Sequence, residues 1–152
     1  MSKMNGIEIK INSVSLESLI DFYNENDNCF NPPLNAQVDS IEGYARKLKN
    51  NAILFEAWDN EKLTGLVAAY FNNYENKIGF ITSVIVSLKY QNKGIAKTLL
   101  KNAIDFARDK GFEKIQLEVY KENESVISLY KKTGFAEKEQ KMIQMELDLK
   151  EI

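Results

Sequence analysis

The chain has 152 residues, with 44% hydrophobic side chains, 28% charged side chains and a net charge of −2 at pH 7. These values predict one domain over residues 1–152 and no nucleic-acid partner. One cysteine, Cys29, excludes an intramolecular disulfide, and the absence of histidine removes the commonest metal ligand and general base, so we expect no metal. Without a signal-peptide core or a membrane-spanning apolar run, we expect a cytoplasmic protein with no membrane partner.

The N-terminal part is predicted to fold as a strand followed by two helices. The strand is indicated by three isoleucines that alternate with polar residues, namely Ile7, Ile9 and Ile11. One helix follows from Ser15 and another from Asp39 or Ser40, because each begins with a capping residue and continues with apolar residues at helical spacing. Residues 26–35 lie between these helices and contain both prolines, which predicts a loop with a stiff centre.

Three strands in series are predicted in the middle of the chain. Residues 52–58 and 63–71 form the first two, joined by a turn at residues 59–62. A second turn, at residues 72–76, leads into an apolar run rich in β-branched residues, 80–86. Because short turns join neighbouring strands, these three strands are expected to form an antiparallel meander.

The C-terminal part begins with a long amphipathic helix that is predicted to stop at Gly111. Residues 115–119 alternate as a strand, and a strand, helix and strand in series predict a right-handed parallel crossover. Asn123 is expected to cap a short helix. Residues 135–137 and 143–149 then predict a final hairpin, whose last strand offers an edge on which a second copy can pair as a homodimer.

Two motifs in the C-terminal half indicate a family. The loop between the central strand and the long helix reads Gln91-Asn92-Lys93-Gly94-Ile95-Ala96. Its small residues allow close approach of the backbone, and the free N–H groups at the helix start favour a phosphate. This Gln-x-x-Gly-x-Ala pattern resembles the acyl-CoA pyrophosphate loop of the GNAT superfamily of N-acetyltransferases. A second signature of that superfamily is similar to Asn123, Tyr130 and the pair Gly134-Phe135.

The resemblance implies an α/β (α+β) fold: a mixed, mostly antiparallel twisted sheet of six to seven strands with about four helices and a splayed parallel central pair. It also implies acetyl-CoA as co-substrate, with backbone N–H groups of residues 91–96 on the pyrophosphate and Lys93 adding charge. Backbone groups of Val84 and Val86 would bind the pantetheine arm, with an N–H near Val86 facing the thioester oxygen. Asn123 would add a contact to the same arm.

The same resemblance assigns catalytic roles. Tyr130 matches the family tyrosine whose phenol protonates the departing thiolate. Many family members place a glutamate base on the central strand, where this chain has Thr82 and Ser83, neither of which is a base at neutral pH. Glu118 is the first candidate base and Glu56 the second, because each alternates out of phase with apolar strand neighbours. An amine of lowered pKa, or a water chain ending on a backbone carbonyl, is a further route.

The acceptor implied by the resemblance is a primary amine of a small molecule, such as an amino sugar, amino acid, polyamine or aminoglycoside. Phe30, Asn31 and Asn35 are candidate acceptor contacts, because the family builds one wall of that site from the loop and helices between the first two strands. Packing of the loop against the core is the alternative for each of them. Polyamines would require an acidic wall, whereas Asp27 and Asp39 are isolated.

Three other functions compete with this interpretation. A protein N-terminal or lysine amine is an alternative acceptor, and a non-catalytic acyl-CoA sensor of the same fold is favoured by the missing central-strand carboxylate. A nucleotide-binding P-loop is suggested by residues 94–98, but the positions where that motif needs glycine hold Ala96 and Gln91. The P-loop is therefore excluded.

Overall fold

The computed structural model describes residues 2–4 and 6–150, with side chains described from residue 6 onward. One mixed sheet carries its strands in sequence order, and only the last pair of strands is parallel. The elements are β1 (Ser2–Met4), β2 (Ile7–Ile11), α1 (Leu16–Glu25), α2 (Leu34–Gln37), α3 (Ile41–Asn51), β3 (Ile53–Asp59), β4 (Lys62–Asn73), β5 (Ile78–Val86), α4 (Ile95–Asp109), β6 (Lys114–Leu117) and α5 (Glu124–Thr133). The predicted fold class is confirmed.

Helix boundaries lie where the capping residues predicted them. The Ser15 Oγ accepts a hydrogen bond from the Ser18 N–H at 3.1 Å and so caps α1. Ser40, and not Asp39, caps α3 by accepting from the N–H of the third helical residue at 2.9 Å. Gly111 follows α4 with a left-handed φ of 84°, as its predicted role as a helix stop requires.

The sheet buries an apolar layer on each face. The face covered by α4, called the α4 side here, holds Phe55 and Val67, both fully buried. The opposite face, called the α1–α3 side, holds Leu54 and Leu66, which pack under α1 and α3. Because neighbouring residues of β3 and β4 alternate between these faces, both strands are buried on two sides and read as continuous apolar runs.

A buried carboxylate connects the sheet to the start of α1. Glu56 on β3 is fully buried, and its Oε2 accepts from the N–H groups of Ser13 and Val14 at 2.9 and 3.1 Å. Its Oε1 accepts from the indole N–H of Trp58 at 3.0 Å. These bonds satisfy the carboxylate and hold the chain between β2 and α1, which is a structural role.

The predicted final hairpin is wrong. Residues 135–150 contain no strand. Their alternating apolar side chains are 65% to 84% exposed, namely Met142, Ile143, Met145, Leu147 and Leu149. A period of two specifies the faces of a strand but not its partner, and β6, the last strand of the sheet, offers an edge of only four residues. The homodimer stays a prediction, but the strand edge expected to carry it is absent from residues 135–150.

Replacing Glu56 by alanine should lower the free energy of unfolding by at least about 2 kcal/mol, because buried N–H donors would lose their acceptor. Urea unfolding measures this. The matched control is Glu61→Ala, at an exposed position in the β3–β4 turn, with an expected change within about 0.5 kcal/mol. Equal effects of the two substitutions would contradict the structural role of Glu56.

Candidate active site

A cleft opens where the parallel pairing of β5 and β6 stops. The register runs from Ile78 opposite Lys114 to Ile81 opposite Leu117, where β6 ends. The next residues of β5, up to Val86, continue along β4 without a partner on their other side. This geometry confirms the predicted splayed parallel pair.

A β-bulge lies at the point of separation. Ser83 pairs with Ala68 and Ile81 pairs with Ala69, so Thr82 is an extra residue without a partner on β4. An extra residue bends a strand and increases its twist. The bulge therefore helps to turn the end of β5 away from β6.

Backbone groups of Val84 and Val86 point into the cleft. The Ser87 N–H donates to the Thr64 carbonyl oxygen of β4 at 2.8 Å. Hydrogen-bonded and non-hydrogen-bonded pairs alternate in an antiparallel ladder, so Val86 opposite Gly65 and Val84 two residues earlier are non-hydrogen-bonded positions. Their N–H and C=O groups therefore face away from β4, as the predicted binding role requires.

The loop before α4 presents free backbone donors. Gly94 occupies the N-cap position in a left-handed conformation, with φ of 82°, and Asn92 is also left-handed, with φ of 63°. No side chain caps this helix, and the N–H groups of Ile95 and Ala96 lie in its first turn, where they have no intrahelical acceptor. Free N–H groups and the positive end of the helix dipole suit a phosphate.

Gln91 has a different role from the other loop residues. Its backbone N–H was predicted to be free for the pyrophosphate, but it donates to the Leu88 carbonyl oxygen at 3.3 Å. Its side-chain Nε2 donates to the Val86 carbonyl oxygen at 2.9 Å, which ties the loop to the end of β5. Lys93 is exposed, and its Nζ lies 5.6 Å from the centroid of the Tyr90 ring.

Tyr90 anchors the same loop to the turn between β3 and β4, a contact that the sequence did not predict. Its hydroxyl donates a hydrogen bond to the Asp59 Oδ2. That bond to the carboxylate raises the pKa of the Tyr90 phenol. Two adjacent residues thus hold the start of the loop, Tyr90 to the β3–β4 turn and Gln91 to the end of β5.

Tyr130 is buried in the apolar cluster on the α4 side, which also contains Val84, Val86 and Ile95. Burial raises the pKa of its phenol to about 12. The hydroxyl has no hydrogen-bond partner among the described residues, yet every buried side-chain N or O atom in that part of the chain has one. The hydroxyl therefore reaches the surface of the cluster, protonated and free to donate.

The loop between α1 and α2 meets the start of α5. The Asn31 Nδ2 donates to the Asn123 Oδ1 at 3.1 Å. Asn123 occupies the N-cap position of α5, but its side chain makes no capping bond, so the expected side-chain cap is wrong. In the same loop, the Cys29 Sγ lies 4.0 Å from the Gln91 Nε2. The loop therefore contacts both the α4 loop and the start of α5.

The other two predicted acceptor contacts, Phe30 and Asn35, lie in different surroundings. Phe30 is half-buried on the α1–α3 side, with its ring centroid 6.0 Å from that of Tyr23. Asn35 uses its backbone N–H to donate to the Asp27 Oδ1 at 2.7 Å. Its exposed side chain has no hydrogen-bond partner among the described residues, so nothing ties it to the cleft.

The two candidate bases lie in different surroundings. Glu118 is exposed one residue beyond β6 and makes no hydrogen bond or ion pair within the described parts of the chain. Leu117 and Val119 pack on the α4 side, so Glu118 between them points to the α1–α3 side of the cleft. Glu56 is fully buried with its oxygens occupied, which removes it as a base.

The sequence did not predict a group of hydroxyls that meets at the bulge. The Tyr23 hydroxyl and the Ser83 Oγ lie 2.9 Å apart, and the Tyr44 hydroxyl donates to the Thr82 carbonyl oxygen at 3.4 Å. Burial raises the pKa of both tyrosines, so both phenols stay neutral. The one available signal was the polar pair Thr82-Ser83 inside an otherwise apolar strand.

Neither a metal centre nor a membrane span is present in the parts that the structure describes. Those residues contain no group of three or more potential ligand side chains arranged to hold a metal ion. None of their helices combines the length and the apolar character needed to cross a bilayer.

Curated relatives of the chain are N-acetyltransferases. An uncharacterised N-acetyltransferase of Bacillus subtilis, YsnE, is 27% identical over 85% of this chain and 85% of its own length. A spermidine N(1)-acetyltransferase of Vibrio cholerae is 32% identical over 71% of this chain and 64% of its own length. The first relatives matched are longer proteins, of which the alignments span 32%, 28% and 37%.

Solved structures share the fold. An aminoglycoside N-acetyltransferase in complex with CoA superposes with a TM-score of 0.68, covering 93% of this chain and 97% of that one at 16% identity. At such identity the likeness concerns the fold alone. Residues 17–135 match the Acetyltransferase (GNAT) family. The chain therefore belongs to the GNAT family of acetyltransferases.

Proposed function

We propose that this protein is an acetyl-CoA-dependent N-acetyltransferase that moves an acetyl group directly to a primary amine of a small molecule. The observation that carries the proposal is the free edge of β5, made of the N–H groups of Val84 and Val86 and the Val84 carbonyl, beside the uncapped start of α4. Together they offer donors for a phosphate and for an extended amide-bearing arm. Family membership and the CoA bound in a structural neighbour support the same choice.

The residues present fit the co-substrate. Backbone N–H groups of Ile95 and Ala96 would hold the pyrophosphate at the positive end of α4, with Lys93 nearby as a cation. Groups of Val84 and Val86 would bond the pantetheine arm, and the Val86 N–H would donate to the thioester oxygen as an oxyanion-type donor. The co-substrate supplies an acetyl group activated as a thioester.

Glu118 and Tyr130 would carry out the proton transfers of the reaction, one residue on each side of the cleft. Glu118, free and exposed on the α1–α3 side, would take the ammonium proton directly or through water, leaving an amine lone pair for attack on the acetyl carbon. As the new C–N bond forms, the C–S bond breaks. The Tyr130 hydroxyl, neutral with a pKa of about 12, would protonate the departing thiolate and regain a proton from the acetylated nitrogen through water, which leaves a neutral amide and a free thiol.

Two alternatives remain distinct from this proposal. A protein N-terminus or lysine as acceptor would need the same acetyl-CoA site but a surface open to a polypeptide. A sensor would bind acetyl-CoA without turnover, and the absence of a carboxylate at Thr82 and Ser83 supports it. The free, protonated hydroxyl of Tyr130 favours the catalyst, because a sensor has no need of an unpartnered donor in an apolar cluster.

Ala96→Asp should weaken acetyl-CoA binding at least tenfold, because a carboxylate in the first turn of α4 would repel the pyrophosphate and compete for its N–H donors. Isothermal titration calorimetry measures the dissociation constant. Ala136→Asp adds the same charge at an exposed position outside the cleft and should leave the constant unchanged. Equal affinities for the two variants would contradict the assigned phosphate site.

Tyr130→Phe should lower kcat by about 100-fold, within the usual range for a lost acid catalyst, while the free energy of unfolding changes by less than about 1 kcal/mol. The hydroxyl makes no hydrogen bond to any residue that the structure describes, so its loss leaves none of them unsatisfied. Because burial raises the pKa of Tyr130 to about 12, its contribution should stay constant from roughly pH 7 to pH 10.

Thiol release from acetyl-CoA, followed across that pH range with both proteins, provides the measurement. Equal kcat values for the two proteins would exclude Tyr130 as the acid. A wild-type rate that falls toward the mutant's between pH 8 and 9 would instead show that the phenol ionises far below the pKa assigned here.

A further inference from the structure

A row of three aromatic rings lines the α1–α3 side of the sheet where the cleft begins. Tyr70 of β4 pairs with Phe80 of β5, which pairs in turn with Gln116 of β6. Cross-strand partners share a face, and Tyr70 belongs to the cluster on the α1–α3 side. The side chains of Phe80 and Gln116 therefore lie on that side too. Tyr44 of α3 completes the aromatic row, which is defined here as Tyr44, Tyr70 and Phe80.

The aromatic row ends at the bulge. Phe80 immediately precedes Ile81, the last residue of β5 to pair with β6. The Tyr44 hydroxyl donates to the carbonyl oxygen of Thr82 at 3.4 Å, and its ring packs edge-on against Tyr23 at 5.3 Å. The row therefore leads directly to the residues at which the cleft opens.

The rings of the row are partly open. Tyr44, Tyr70 and Phe80 are each half-buried, whereas Tyr23 behind them is fully buried. Burial and the neighbouring Tyr44 phenol raise the pKa of Tyr70, and burial raises that of Tyr44, so both phenols are uncharged. The row thus presents neutral ring surface, which favours stacking on a flat apolar body and attraction of a single cation.

Few charges lie near the row, and strand alternation puts the exposed Lys114 of β6 on the same face as Gln116, where its cation disfavours a polycationic acceptor. Glu118 points to the same side of the cleft and is unpaired within the described residues, whereas Asp27 already accepts from the Asn35 N–H at 2.7 Å. A polyamine or aminoglycoside carries several ammonium groups and needs a carboxylate or hydroxyl partner for each. One free carboxylate beside neutral rings instead suits an amine with a single positive charge.

We propose that the acceptor is a monocationic primary amine on an aromatic body, an arylalkylamine, with its ring on the row of Tyr44, Tyr70 and Phe80 and its ammonium near Glu118. This inference rests on the proposed acetyltransferase function and names its acceptor class. Phe80 and Tyr70 are then specificity-determining residues.

The experiment compares three acceptors, 2-phenylethylamine, spermidine and glucosamine, by thiol release at saturating acetyl-CoA, with the wild type, Phe80→Leu and the control Tyr74→Leu. Tyr74 is 73% exposed in the turn between β4 and β5, outside the row. For the wild type, kcat/KM for 2-phenylethylamine should exceed the other two values at least tenfold. Phe80→Leu should lower that value about tenfold through KM, while the KM for acetyl-CoA and the Tyr74→Leu kinetics stay unchanged.

The outcomes separate the acceptor class from the function. Preferred turnover of spermidine or glucosamine would overturn the arylalkylamine class and leave the acetyltransferase function standing. An unchanged preference in Phe80→Leu would also overturn the role of the row. Acetyl-CoA binding by calorimetry without turnover of any of the three amines would overturn the proposed small-molecule function, and the acceptor class with it.

Discussion

The early end of the β5–β6 ladder is the constraint on which the rest of the site depends. Pairing stops at Ile81 and Leu117, so the last part of β5 keeps one ladder, to β4, and exposes its other edge. An exposed strand edge is a set of unsatisfied donors and acceptors, and a protein retains one inside a cleft when a ligand completes it. The α4 loop, the start of α5 and Tyr130 all belong to elements that follow this edge in the chain.

The bulge at Thr82 determines which side chains of β5 face each side of the sheet. With one extra residue, Ser83 turns to Tyr23 on the α1–α3 side, and Val84 and Val86 pack on the α4 side. Their backbone groups enter the cleft between these layers. The co-substrate and the acceptor can therefore approach from different sides, with Tyr130 in the α4-side cluster and Glu118 facing the other.

Much of this architecture could be predicted, because its signals are local: the capping serine of α1, the alternation of β2 and the glycine-containing loop before α4 all lie within a few residues. Contacts between distant residues could not. Asn31 and Asn123 meet across 92 positions, and the two backbone donors to Glu56 lie 42 and 43 positions away from it. The prediction of a final hairpin was wrong for the same reason, because the alternation in residues 143–149 does not specify a partner strand.

Amide hydrogen exchange of β5, followed by NMR with and without saturating acetyl-CoA, tests the central claim most directly. The N–H groups of Val84 and Val86 should exchange at least tenfold more slowly with the ligand, because it becomes their acceptor. Ile85, which pairs with Leu66 at a hydrogen-bonded position, is the internal control and should barely change. Exchange at Val84 and Val86 that stays unaltered while calorimetry reports binding would contradict the account.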